Sequence, residues 1–257
     1  MNTNIYLYDG TFYGLMTAVF DSWNDPHFED IIHRTVFREN FTQNAIEVET
    51  DDAKAERVLS GAQKIYDNMN FRLYRIYLTS SSKKEKIIYN YLHILFKKGR
   101  MTDSARFMPE VDEFLTLEHH YARETDRMYG FVRFQKTEAG IYFSKIYTDH
   151  SQLEMLSPFF LNRMPGMKWV ILDVNRKRAA LCDGEKWIIQ EGVSEDDITA
   201  TYDNCDFEKW WRDYTKAITI KERKNPALQK KMVPLKYRKG MDEFFQAADQ
   251  NSFGQTP

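Results

Sequence analysis

The chain has 257 residues, of which 42% are hydrophobic and 29% charged, with 15% aromatics against 11 Gly and 7 Pro. That balance supplies a substantial core and excludes a disordered chain, whose low hydrophobicity cannot offset chain entropy. Two cysteines, Cys182 and Cys205, exclude a disulfide framework and a four-thiolate metal site. No uncharged apolar window is long enough to span a bilayer, and Met1-Asn2-Thr3-Asn4 carries no basic leader, so the expectation is a cytoplasmic protein without a membrane partner. The net charge of −2 conceals an asymmetry: residues 1–60 carry eleven acidic and four basic residues, residues 207–240 three acidic and eleven basic.

Ile5-Tyr6-Leu7-Tyr8 reads as a strand closed by Asp9-Gly10, after which Thr11 caps a helix carrying Leu15, Ala18, Val19 and Trp23 at helical spacing. Ala45 to Glu49 reads as a second strand, and Thr50 or Asp51 caps a helix with Ala55, Val58, Leu59, Ala62 and Ile65 on one face. Core helices follow over 71–78 and 83–98, with Gly99 at the C-cap, and another runs from Val111 to about Arg127. At Gly130 the period becomes alternating, and 131–135 and 141–146 are expected to pair as a β-hairpin. A short helix over 152–163 precedes three strands at 169–172, 178–181 and 186–189, and residues 207–248 read as helical.

The expectation is therefore an α+β fold: a helical N-terminal part with short strands (1–128), a central antiparallel sheet crossed by a helix (129–192) and a basic helical C-terminal part (205–248). These form a single domain over 1–250 followed by a flexible tail at 251–257.

Phosphate-cradling loops of the P-loop and dinucleotide types are absent, as are H-E-x-x-H and G-x-S-x-G. His119 and His120 are adjacent on a helix and diverge by roughly 100°, so they cannot chelate one ion together; His120 and Glu124 share a face, more simply as a hydrogen-bonded pair than as a metal site. No metal or cofactor is expected.

The positive signal is an arginine cluster. Arg123 and Arg127 stand i,i+4 on the helix, and in the strand expected next Arg133 and Gln135 share a side with Phe131, while Asp149-His150 ends the second hairpin strand and Arg163 ends the following helix. Guanidinium groups bind phosphate bidentately and histidine titrates near neutrality, so the set suits a phosphodiester. The plainer reading is a network of surface ion pairs with Glu118, Glu124 and Asp126. A second basic segment, with Trp210-Trp211-Arg212, Lys216, Lys221, Arg223, Lys224, Lys230 and Lys231 and ending in Tyr237-Arg238-Lys239, interleaves aromatics with cations in the manner of a nucleic-acid-binding groove.

Five blocks carry a family resemblance. They are Leu7-Tyr-Asp-Gly-Thr-Phe-x-Gly-Leu-x-Thr-Ala-Val-Phe20, Thr50-Asp-x-x-Lys-Ala-x-Arg-Val58, Arg127-Met-x-Gly-Phe-Val-Arg-Phe134, Asp149-His150, and Ile220-x-x-Arg-x-Asn225 with Gln229. In this order they resemble a bacterial family of DNA metabolism or repair proteins that accompany a radical-SAM protein and in some relatives precede a uracil-DNA-glycosylase-like domain. The resemblance implies a DNA-related setting and a radical-SAM partner, while the chain lacks the three-cysteine cluster that an iron–sulfur site of that kind needs.

Three functional readings follow. In the first, Arg123, Arg127, Arg133, Gln135 and Arg163, extended by Lys221, Arg223 and Lys224, bind DNA phosphates while a partner enzyme performs the chemistry. In the second, the chain is itself an enzyme on nucleic acid or nucleotides, with His150 as acid or base oriented by Asp149. In the third it is an interaction scaffold for the radical-SAM partner.

Overall fold

The computed structural model describes residues 3–38, 42–137, 140–194 and 230–241. The chain divides into two compact units, Met1–Ala122 and Arg123–Pro257, and both mix helices with strands, the α+β class expected from the sequence.

The first unit is built on a three-stranded parallel sheet. Its middle strand, β1 (Thr3–Tyr8), buries four successive residues, Ile5 to Tyr8, the continuous apolar run of a strand covered on both faces. It pairs in parallel with β2 (Phe28–His33) on one side and β3 (Gln43–Glu47) on the other. Helix α1 (Phe12–Ser22) begins where Thr11 caps it, the hydroxyl accepting Gly14 N–H at 2.9 Å. Helix α2 (Asp52–Ile65) begins where Asp51 accepts the Ala53 and Lys54 amides, so of the two caps considered the aspartate serves.

Helices α3 (Met69–Tyr77) and α4 (Lys84–Lys98) follow, and Gly99 ends α4 at φ 60°, a conformation that favours glycine. Leu15, Leu59, Leu73, Ile88, Leu92 and Phe114 are among the side chains of the shared core. Within it lies a buried cation. Arg72 donates to both oxygens of Glu118 (Nε at 3.0 Å, Nη2 at 2.9 Å) and to Asp103 at 2.9 Å, and its guanidinium lies within 6 Å of the ring centroids of Tyr66, Tyr91 and Phe114.

Helix α5 (Pro109–Phe131) ends in the second unit, whose five-stranded sheet has the order β4-β5-β6-β7-β8: β4 (Gln135–Lys136), β5 (Tyr142–Ile146), β6 (Trp169–Asp173), β7 (Arg178–Cys182) and β8 (Trp187–Glu191). The expected antiparallel sheet is corrected to a mixed one, because β5 and β6 pair in parallel while the other neighbours run antiparallel. The reason lies in the connection: α6 (Leu153–Arg163) carries the chain back so that β6 starts at the same end as β5.

The expected hairpin shrinks as well. Helix α5 continues through Phe131, leaving β4 only two residues, so the alternation read over 131–135 is the end of the helix, three residues of irregular chain and the first residue of β4. Met128, Val132, Leu153, Leu156, Phe160 and Trp169 form the core of this unit, with Tyr237 of the short helix α7 (Leu235–Arg238) packed among them.

Among the described residues no helix is long and apolar enough to cross a membrane.

Candidate functional site

The polar centre of the second unit is a carboxylate. Glu124 projects inward from α5 at 4% exposure and acts as a clamp. Its Oε1 accepts the backbone N–H of Asp149 and its Oε2 that of His150, both at 2.9 Å, and Oε1 also accepts the Tyr237 hydroxyl at 2.8 Å. Gln152 donates to Oε2 at 3.3 Å and is itself held by the Thr125 hydroxyl at 2.8 Å. Two backbone amides, a phenol and a side-chain amide thus take the place of the water that burial removes from this carboxylate.

The 147–152 turn is therefore fixed from within, and other side chains tie down its outer side. Asn175 donates to the Thr148 carbonyl at 3.0 Å, Arg176 donates to the carbonyls of Thr148 and Asp149, and Lys236 bridges to the Asp149 carboxylate. Arg176 also pairs at 2.9 Å with Asp173, fully buried at the end of β6, whose carboxyl is pushed above its ordinary range by burial against the opposing pull of Arg176. Next along the chain, Arg178 links Glu154, Ser151 and Glu191.

This geometry relocates the expected catalytic pair. Asp149 and His150 do not end a strand, since β5 stops at Ile146; they form a bend whose two amides point at one carboxylate. The bend removes the objection that strand neighbours face opposite ways. Asp149 is exposed, whereas His150 is half-buried, and burial lowers the imidazole below its ordinary range while Glu124 and Asp149 pull it upward.

The arginines separate into two groups. Arg133 lies outside any strand, contrary to expectation, and its Nη1 donates to the carbonyls of Gly130 (2.6 Å) and Val132 (3.3 Å), so it caps the C-terminus of α5. Gln135 pairs with Phe143 in the β4–β5 ladder. By contrast Arg123 and Arg163 are exposed and Arg127 is half-buried, and among the described residues none of the three forms an ion pair.

Of the three carboxylates that the ion-pair reading assigned to these arginines, two are engaged elsewhere, Glu118 with Arg72 and Glu124 with the turn, while Asp126 is exposed and forms no ion pair among the described residues. Arg123 and Arg127 ride on α5 and Arg163 on α6, helices that meet at the tilted rings of Tyr129 and Phe159, whose centroids are 4.3 Å apart. Lys221, Arg223 and Lys224 lie outside the described residues.

Glu124 also answers the question raised by its i,i+4 spacing to His120: its carboxylate turns to the 147–152 turn. Among the described residues no group of three or more His, Cys, Asp or Glu is placed to hold a metal ion. Sequence reasoning names Glu124 but misses its role, because its partners stand 25, 26 and 113 residues away.

Neither a curated protein nor a solved structure matches the chain. A family described as a domain of unknown function matches residues 82–243, a span that runs from the start of α4 through α7 and takes in Glu124, the 147–152 turn and Tyr237. With well over half its length inside that match, the chain belongs to the DUF4130 family.

Proposed function

We propose that the protein is a nucleic-acid-binding accessory module in DNA metabolism, holding phosphates with Arg123, Arg127 and Arg163 while a partner enzyme carries out the chemistry. One observation supports this reading above others: these arginines lack carboxylate partners among the described residues, and Glu118 and Glu124, two of the acids that share α5 with Arg123 and Arg127, are committed to internal bonds. A surface guanidinium left with water alone keeps its five donors available, and phosphate is the anion that its planar fork fits.

Arg133 is removed from the contact set because its donors cap α5. The test is a fluorescence-anisotropy titration of single- and double-stranded DNA with the full chain at about 50 and 200 mM salt, repeated with an Arg123→Ala/Arg127→Ala variant. Binding that weakens steeply with salt and is mostly lost in the variant supports the reading. Salt-independent binding, or wild-type affinity in the variant, rejects it.

A second reading, an enzyme with His150 as acid or base, draws support from the clamp. Two amides fixed on Glu124 hold the half-buried His150 and the exposed Asp149 side by side, and such preorganisation suits proton transfer. A His150→Ala variant that leaves turnover of every nucleotide or DNA substrate unchanged removes it.

A further inference from the structure

The first unit holds a cavity that the arginine face does not use. It measures about 580 Å³ and is lined by Tyr8 and Gly10 at the carboxyl end of β1, by Asp30 to His33 along β2 and by Glu85 of α4. The carboxyl end of a parallel sheet is where α/β folds gather ligands, and the volume falls in the range of small-molecule sites.

The walls are set rather than soft. Gly10 has φ 90°, and a Cβ there would sit 2.2 Å from His33 Nε2, so only glycine lets the imidazole close over the turn. Nε2 of His33 lies 3.2 Å from the Asp9 carbonyl, which can only accept, and Nδ1 lies 2.6 Å from the Thr35 hydroxyl. The neutral ring is therefore protonated on Nε2, with Nδ1 accepting.

Two carboxylates face this space with spare capacity. Glu85 is 9% exposed, and its one hydrogen bond among the described residues is from the Tyr8 hydroxyl to Oε1 at 2.8 Å, leaving Oε2 without a partner there. Asp30 accepts its neighbour's amide, Ile31 N–H, on Oδ1 at 2.9 Å and forms no ion pair among the described residues. Burial raises its carboxyl above the ordinary range, a cost that a bound cation would relieve.

Lys84 also lines the cavity and the charge of Lys86 acts on Asp30, but neither forms an ion pair with Glu85 or Asp30 among the described residues. Lys84 donates to the Tyr77 carbonyl at 2.7 Å and sits over the Tyr77 ring, and Lys86 bonds the Glu29 carbonyl and lies 4.2 Å from the centroid of Phe28. Arg38 lines the cavity but is exposed. Glu85 Oε2 and Asp30 Oδ2 are thus acceptors without a hydrogen-bond donor among the described residues.

We propose that this cavity binds a small organic amine, its primary ammonium held between Glu85 and Asp30 and its remaining polar groups met by Gln43, Ser81 and Ser82, which also line it. An ammonium supplies three donors without a fixed plane, which suits two carboxylates that each offer one open oxygen.

The test is isothermal titration of the full chain at low salt with putrescine, with its diol analogue as the uncharged control. Saturable one-site binding of the diamine, none of the diol, and weakening by about tenfold or more in both Glu85→Gln and Asp30→Asn are expected, the loss of one charge-assisted hydrogen bond in each case. The Glu85→Gln change keeps an acceptor for the Tyr8 hydroxyl, and Asp30→Asn stands as the second variant should the first fail to fold. Absence of saturable binding, equal binding of the diol, wild-type affinity in the folded variants, or amide NMR shifts that fall outside Tyr8, His33 and Glu85 would each overturn the proposal. So would a preference for inorganic phosphate that Arg38→Ala abolishes.

Discussion

Glu124 Oε2 receives the backbone amide of His150 at 2.9 Å, so the position of the histidine is decided by a side chain from a helix twenty-six residues earlier. Replacing Glu124 by Ala strands two backbone amides and the Tyr237 hydroxyl in a buried site. We expect a loss of about 3 kcal/mol in chemical unfolding of the second unit, with Glu124→Gln costing less because it retains acceptor capacity on one side only. A Glu124→Ala protein as stable as wild type would remove the clamp from the account of this fold.

Arg133 and the Arg123/Arg127 pair answer differently to substitution. Arg133→Ala removes a cap at the C-terminus of α5 and is expected to cost roughly 1 kcal/mol of stability while leaving the salt slope of DNA binding unchanged. Arg123→Ala/Arg127→Ala is expected to leave stability within about 0.5 kcal/mol and to lower the salt slope by nearly two, one per lost phosphate contact. Thermal unfolding and anisotropy on the same preparations compare the two directly.

Arg72 is buried between Glu118 and Asp103, with three aromatic rings around it. Arg72→Met leaves two carboxylates without their cation, and a loss of about 3–5 kcal/mol is expected. Arg72→Lys is expected to recover only part of it, since a single ammonium cannot reproduce the bidentate bond to Glu118 together with the bond to Asp103. Urea unfolding of both variants checks the order.

His93 stacks on Trp23 with ring centroids 3.8 Å apart, and its buried Nε2 has no hydrogen-bond partner among the described residues. Burial, followed by the charges of Lys97 and Lys86, holds the imidazole below its ordinary range. The unfolded chain then binds the proton more readily than the folded one between the lowered value and about 6.5, so stability rises with pH through that window and falls as acid is added. NMR titration should place the His93 midpoint below that of a free imidazole, and His93→Gln should flatten the pH dependence of unfolding between about pH 7 and 5. A midpoint at or above the ordinary value would reverse the sign.

Part of the fold is legible in the residues. Ile5 to Tyr8, buried without a break, and the Thr11 cap follow from local rules, as do α2 with its apolar face and the β7–β8 pairing over Arg178–Cys182 and Trp187–Glu191. Strand β2 is not, because Phe-Glu-Asp-Ile-Ile-His buries only Ile31 fully and carries two adjacent acids that mask a strand signal. The parallel pairing of β5 with β6 escapes a reading that does find the strand–helix–strand order producing it, since the direction of pairing is a matter of topology rather than of propensity. The roles of Glu124 and Arg72 are invisible for a different reason. Their partners are distant in sequence, and no local pattern tells a surface acid from one that holds a turn together.

The bond between Glu124 and Tyr237 also bears on how the molecule is made. The glutamate leaves the ribosome 113 residues ahead of its phenol, so during synthesis the 147–152 turn can be gathered onto α5 while one acceptor position still faces water. Closure of so long a loop is entropically slow relative to the local helices. The docking of α7 on Glu124 is therefore expected to follow that of the turn, and a chain stalled before it should expose the Glu124 carboxylate, together with the apolar surface that Tyr237 covers, to proteases and chaperones.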